Sequence, residues 1–299
     1  MAREFENPMP ELPEVETVRN GLKPVLQGHR LTRVQTRRGD LRIPFPPGFV
    51  QHLTGRRVTH LRRRAKYILA DLDNGETLVI HLGMSGRMTI YKGDKALPLD
   101  GIEGESVAAG GGHGLHDHVI FETDAPARIV FTDHRRFGLM TLVDTDRLDA
   151  HKLFKGIGPE PLDTGFTAAS LSATLKGKKT SIKAALLDQR VVAGIGNIYA
   201  CEALWRAGIS PKRKASTIPG ERATRLVPAI KRVLKDAIAA GGSTLRDYRK
   251  SDGSLGYFQH RFAVYDREGE PCPKKGCKGT VKRIVQAGRS TFYCAACQK

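Results

Sequence analysis

Hydrophobic positions along this chain change their period twice, and each change marks a different kind of structure. From Glu14 to about Leu26 the apolar residues Val15, Val18, Leu22 and Val25 recur at spacings of three and four, one face of a helix. From His29 to about Val143 the rhythm shortens to alternating stretches. Arg57–Leu61, Tyr67–Leu72, Thr77–Leu82, Arg87–Tyr91, His118–Glu122, Arg128–Thr132 and Leu139–Val143 read as strands. Asn74-Gly75, Gly83, Gly86 and the segment from Asp124 to Pro126 supply the turns between them. Consecutive short strands with hairpin turns predict an antiparallel sandwich or barrel. A glycine-rich interval, Gly101–Gly114, predicts a surface loop.

Helical periodicity returns after Gly156-Ile157-Gly158-Pro159-Glu160-Pro161, which we read as an interdomain linker. The expected helices are Ile182–Asp188, Asn197–Ala207 with Gly208 as its stop, and Gly220–Ala240 ending at Gly241-Gly242. Pro228 lies inside the last of these and should kink it or start it late. From Phe262 onward, strand-like stretches carry four cysteines.

At 299 residues the chain has room for two or three domains. No apolar run is long enough to span a bilayer, and Met1–Pro8 lacks the apolar core of a secretory signal, so a cytoplasmic protein is expected. The net charge of +18 changes the picture most, because it calls for a polyanionic partner. Basic residues concentrate late: Pro211–Lys299 holds 20 Lys or Arg against 7 Asp or Glu. An anionic membrane would want a basic helix with large apolar residues opposite, which the chain lacks, so nucleic acid is the expected partner.

Cys272-x4-Cys277, sixteen further residues, then Cys294-x2-Cys297 has the spacing of a structural zinc site, with a β-hairpin between two close thiolate pairs. Two disulfides are the alternative, disfavoured in a cytoplasmic chain. A closed set of four thiolates leaves no open coordination position, so its role is structural. Lys274, Lys275, Lys278, Lys282, Arg283 and Arg289 decorate the module, which suits it to phosphates. The fifth cysteine, Cys201, falls in a helical pattern and reads as a small core residue.

Candidate chemistry sits in Met9-Pro10-Glu11-Leu12-Pro13-Glu14-Val15-Glu16-Thr17. A proline with a free terminus is a secondary amine able to attack an electrophilic sugar carbon, and Glu11 sets a carboxylate beside it. Eight residues precede Met9, and an acylated proline nitrogen has no usable lone pair. We expect that this extension is a mis-assigned start and that Met9 is removed before Pro10. If the extension stays, the chain is a binding module for lesions or bent DNA without chemistry.

Pro10–Thr17 and the terminal four-cysteine module, taken together, resemble the bacterial formamidopyrimidine-DNA glycosylases. Further blocks agree in order: His81-Leu82-Gly83-Met84-Ser85-Gly86; Asp133-His134-Arg135-Arg136-Phe137-Gly138; Gly158-Pro159-Glu160-Pro161-Leu162; and Gly194-Ile195-Gly196-Asn197-Ile198-Tyr199-Ala200. The resemblance implies an α+β multidomain fold. Residues 1–9 would be a non-native or processed leader and 10–155 a catalytic antiparallel β-sandwich with flanking helices. A linker at 156–165, a helix–two-turn–helix domain at 166–261 and a β-hairpin zinc finger at 262–299 would follow. It also implies excision of oxidised purines, then β,δ-elimination at the abasic site through a Schiff base, on double-stranded damaged DNA. One structural zinc, a monomer and a cytoplasmic, nucleoid-associated location complete the expectation, with no membrane contact.

By the same resemblance, the catalytic set is Pro10 as nucleophile, Glu11 as general acid toward the opening sugar, Lys66 near the lesion's phosphate and base, and Arg289 at a phosphate. Glu14 is a supporting carboxylate or a helix-polarising residue. Met84, Arg135 and Phe137 would fill the gap left by the flipped base, with Arg135 bonded to the orphaned cytosine. His81, His116, Arg136 and Lys183 would contact DNA. Asn197, with the free amides of its helical turn, could hold a phosphate; read alone it is an N-cap. His134 departs from the family, which usually has proline there, and leaves the Arg135 loop less rigid. The segment from Gly241 to Tyr257 resembles a loop covering the flipped base. An endonuclease VIII-like preference for oxidised pyrimidines is the alternative; Leu12 and the Arg135–Phe137 block favour purines.

Overall fold

The computed structural model describes residues 9–93, 95–96, 114–243 and 257–299. The expected leader Met1–Pro8, most of the Gly101–Gly114 interval, and residues 244–256 of the expected lesion loop lie outside the described residues. The chain forms two compact units. One contains residues 13–155 with 241–243 and Tyr257; the other contains 9–12, 156–240 and 258–299.

In the first unit, helix α1 (Leu12–Leu26) is followed by strand β1 (Leu31–Thr36), the short α2 (Phe49–Leu53) and β2 (Val58–Arg64), β3 (Tyr67–Leu72), β4 (Glu76–His81), β5 (Arg87–Lys92) and β6 (Lys95–Ala96). Then come β7 (Asp117–Thr123), β8 (Ala127–Thr132) and β9 (Leu139–Asp144). The strands make two antiparallel sheets, ordered β1-β7-β8-β5-β6 and β2-β3-β4-β9. Leu61, Ile68, Leu78 and Ile80 of one sheet share a buried core with Val34, Met88, Ile90, Val119, Phe121, Ile129 and Phe131 of the other. The anticipated apolar face of α1 joins them through Val15, Val18 and Leu22. Helix α1 begins two residues earlier than its periodicity suggested. Pro13 in the first turn is the reason, since its missing N–H has no partner there anyway and its φ is already helical.

Strand β1 was not legible from alternation. Its buried residues, Leu31 and Val34, are three apart because the pairing with β7 slips between Leu31 and Arg33. Such a bulge inserts one residue and breaks the period of two.

The second unit holds α3 (Ala168–Leu175), α4 (Ile182–Leu187), α5 (Asn197–Ala207), α6 (Glu221–Ala239) and the hairpin β10 (Val281–Gln286)–β11 (Arg289–Cys294). Helix α6 neither starts late nor breaks at Pro228; it runs from Glu221 to Ala239. Ala223, Leu226, Val227, Ile230, Val233, Leu234 and Ala237 are all buried on one face, and that burial outweighs the single hydrogen bond Pro228 cannot make. Helix α3 escaped the sequence reading because it is short; a capping box between Thr167 and Ser170 starts it. Glu202 of α5, wholly buried, accepts backbone N–H bonds from Ala263, Val264 and Tyr265 and so fixes the chain that leads into the hairpin. Among the described residues no helix is long and apolar enough to cross a membrane.

Candidate active site and nucleic-acid interface

In the second unit, Glu11 is held at the start of α5. Both carboxylate oxygens point at backbone N–H groups: Gly196 at 2.7 Å, Ile198 at 2.9 Å and Tyr199 at 3.4 Å. The first turn of a helix has no internal acceptors for its N–H groups, so an anion there is doubly favoured, by hydrogen bonds and by the helix dipole. Gly196 makes the approach possible, because a Cβ there would overlap the Glu11 carboxyl group. The backbone N–H of Leu12 also donates to Gly194 at 3.0 Å. These bonds explain why residues 9–12 group with the helices, although the sequence reading drew the catalytic module as 10–155. Pro10, next to Glu11, is buried.

The same turn also holds Asn197, which is buried. Its following amides are engaged by Glu11, and its own Nδ2 donates to the Ser290 carbonyl at 2.9 Å. Lys183 is also inside, fully buried, with Nζ 3.5 Å from the same carbonyl. Through that carbonyl, Lys183 and Asn197 tie α4 and α5 to β11. Arg289 is exposed, directly after the two-residue turn of the β10–β11 hairpin.

In the first unit Lys66 occupies the β2–β3 turn, beside Ala65 at φ 52°, yet it is nearly buried. It lies close enough to His81 to act on its protonation. Burial first, then the charges of Lys66 and Arg42, push the His81 imidazole down to about 4. Its Nδ1 accepts the Gly83 N–H at 3.0 Å, so the neutral ring carries its proton on Nε2 and presents a donor there. Glu14, also buried, accepts both the N–H and the hydroxyl of Ser243, each at 2.9 Å.

Met84 and the Arg135–Phe137 segment occupy two neighbouring crossings between the sheets. Phe137 is 43 % exposed, which rules out a core role, and the Arg135 guanidinium lies 5.0 Å from its ring centroid. Met84 is half-buried. Arg136 is exposed at φ 56°, and exposed His116 meets His134 edge to face at 6.2 Å. An exposed aromatic with a cation over it, beside a flexible apolar side chain, is suited to entering a stack of bases.

The four finger cysteines bring their sulfurs within 4.8 Å of one another. Cys272–Cys297 and Cys277–Cys294 stand 3.7 Å apart, close to the roughly 3.8 Å edge of a tetrahedron built on Zn–S bonds of about 2.3 Å. All four are free thiols, so the disulfide alternative falls away and the set fits one structural zinc.

Three family models match in chain order: the formamidopyrimidine-DNA glycosylase N-terminal domain over residues 9–140, its H2TH domain over 157–249, and the zinc finger found in FPG and IleRS over 269–299. The chain belongs to the formamidopyrimidine-DNA glycosylases. It is 58 % identical to the formamidopyrimidine-DNA glycosylase of Ruegeria pomeroyi and 59 % identical to that of Phenylobacterium zucineum, covering 97 % of this chain and all of each relative. Among solved structures it is similar to the MutM (Fpg) protein from Thermus thermophilus, at 39 % identity and a TM-score of 0.80 over 97 % of this chain and 98 % of that one. It is also similar to the Lactococcus lactis Fpg in complex with DNA containing an abasic site, at 31 % identity and a TM-score of 0.81 over 97 % and 99 %.

Sequence reasoning about this glycosylase missed Ser243, Ser85, Asp133 and Glu202, whose partners lie 48 to 229 positions away. Only the glycines in Gly-Ile-Gly-Asn and Leu-Gly-Met-Ser-Gly hinted that backbones approach closely there.

Proposed function

We propose that the protein excises oxidised purines, 8-oxoguanine and formamidopyrimidines, from duplex DNA and then cuts the strand, with Pro10 as nucleophile once it is N-terminal. The observation that carries this reading is the Glu11 carboxylate held on three backbone N–H groups beside Pro10. An acceptor-only carboxylate so held can take the proton that the Pro10 nitrogen sheds as it bonds to C1′. The glycosidic bond breaks, and the base leaves with its electron pair and takes a proton from water. Glu11 then returns the proton to the ring oxygen as the sugar opens, which is how it acts as a general acid. The resulting iminium acidifies C2′; loss of that proton expels the 3′ phosphate, and loss of a second proton, from C4′ of the conjugated iminium, expels the 5′ phosphate.

In this reading Lys66 and His81 approach the lesion's phosphate, the latter as a neutral Nε2–H donor. Met84, Arg135 and Phe137 fill the vacated stack, while His116, Arg136 and Arg289 contact the backbone. Lys183, Asn197 and Glu14 position their neighbours rather than touch DNA. The zinc holds the finger together. The enzyme works as a monomer in the cytoplasm, associated with the nucleoid. The N-terminal family model matches from residue 9 onward, so its match leaves out the eight residues that precede Met9.

Borohydride trapping on a duplex with 8-oxoguanine opposite cytosine tests the nucleophile. Protein translated from Met9 should form a covalent adduct, and protein that retains Met1–Pro8 should not. Glu11→Gln should trap at least about 100-fold more slowly, the lower range for a lost general acid–base group. An equal yield with the extension attached refutes Pro10, and faster excision of thymine glycol than of 8-oxoguanine refutes the purine preference.

A further inference from the structure

The two crossings that carry Met84 and Phe137 are bracketed by ladder pairs. His81 pairs with Leu139 in the four-stranded sheet, and Arg87 pairs with Thr132 in the five-stranded one. Residues 82–86 and 133–138 therefore leave one sheet side by side and enter the other side by side. Between them lies Asp133, with no exposed surface. One of its carboxylate oxygens accepts the Ser85 hydroxyl, and the other accepts the Gly138 N–H at 2.8 Å. Ser85 Oγ in turn accepts the Arg135 N–H at 3.2 Å.

Backbone contacts reinforce the arrangement. The Asp133 carbonyl accepts His118 Nε2 at 2.8 Å and the Arg136 N–H at 3.3 Å, while the Asp133 N–H donates to His116 at 3.0 Å. Gly83 lies so close to the Phe137–Gly138 peptide that any side chain there would collide with it, and its φ of +67° already excludes most residues. Arg136 is held in the left-handed region, a conformation a non-glycine residue keeps only where its surroundings impose it.

A buried carboxylate is costly, and an apolar side chain would fill the same space more cheaply. What the carboxylate adds is direction, because its two oxygens tie one crossing to the other through donors at fixed angles. We infer that Asp133 and Ser85 are positioning residues that lock Met84, Arg135 and Phe137 into one preorganised reading head, and that discrimination of the base opposite the lesion depends on this lock. The inference rests on the proposed entry of Arg135 and Phe137 into the helix.

Ser85→Ala removes the hydroxyl at little change of volume, and Ser85→Thr retains it. In Ser85→Ala, amide exchange at Arg135 and Gly138 should accelerate roughly tenfold, the scale of one lost buried hydrogen bond. The preference of kcat/KM for 8-oxoguanine opposite cytosine over adenine should fall by a similar factor. Cleavage of an abasic site in single-stranded DNA, which has no opposite base to read, should stay within about twofold, and Ser85→Thr should restore both losses. Unchanged exchange in Ser85→Ala overturns the lock, and equal losses in Ser85→Thr overturn the role of the hydroxyl. Arg135→Ala separates the two ideas. If it lowers discrimination while Ser85→Ala does not, the inference fails. If Arg135→Ala also leaves discrimination unchanged, the assigned role of Arg135 fails, and faster exchange in Ser85→Ala still supports the lock.

Discussion

The indole N–H of Trp205 points at the sulfur of Cys272 from 3.4 Å, so helix α5 reaches into the coordination shell of the finger. An N–H donor aimed at a thiolate stabilises its charge and fixes the direction of its lone pairs. The backbone N–H of Gly279 serves Cys277 in the same way at 3.4 Å.

Trp205→Phe keeps the packing and removes that donor. It should speed zinc loss to a chelator by at least about tenfold, the lower end for groups that support a metal ligand. Complete zinc removal, or Cys294→Ser, should weaken DNA binding while a short lesion-bearing substrate at saturating concentration still traps at Pro10. Equal DNA affinity of zinc-loaded and zinc-free protein would contradict a finger that grips phosphates. Chelator-driven release and fluorescence anisotropy provide the two measurements.

Glu14 and Ser243 pair across most of the chain, and the pair is buried on both sides. Glu14→Ala leaves the Ser243 N–H and hydroxyl without that acceptor and should cost about 1–3 kcal/mol. Ser243→Ala removes only the hydroxyl and should cost about 1 kcal/mol. Denaturant unfolding curves give both values, and the double variant should be less destabilised than the sum of the singles, because the two residues share one interaction.

How much of this was legible in advance follows from the range of each interaction. The face of α1, most strands of the sandwich and the zinc ligands are written in local periods and short spacings, so the sequence carries them. Strand β1 was lost to a bulge, and α3 to its brevity. Pro228 misled because propensity yields to a helix face buried along its whole length. In the site, residue types suggest a chemistry, but burial does not follow from type. Lys183 and Asn197 look like phosphate ligands in sequence and are interior in the fold. Asp133 and Glu202 look like two acids among many, although each organises a loop through donors that tertiary structure brings near, Ser85 for Asp133 and the 263–265 amides for Glu202.

Arg289, exposed at the tip of the finger hairpin, should act as a phosphate contact without reading sequence. Arg289→Ala should weaken binding to lesion and undamaged duplexes by similar factors, and should reduce the slope of log affinity against log salt by about 1. Lys183→Met should leave that slope unchanged, because a buried ammonium releases no counterion from DNA. A change of slope in Lys183→Met and none in Arg289→Ala would reverse the assignment made from burial.

His81 gives the fold a pH dependence whose sign can be worked out. An imidazole ordinarily titrates near 6.5, and here burial and the nearby cations bring it to about 4. Between these values the unfolded chain binds a proton that the folded chain does not. Stability from this group is therefore intact above about pH 6.5, falls as the pH drops, and is fully lost below about 4. The shift of about 2.5 units corresponds to roughly 3 kcal/mol. His81→Asn keeps an acceptor near the Gly83 N–H but cannot titrate. It should be less stable than the parent at pH 7.5 and lose less stability on acidification, by about 3 kcal/mol between pH 6.5 and 4. Urea unfolding at half-unit pH steps measures the difference, and parallel curves for the two proteins would show that folding does not shift the His81 titration.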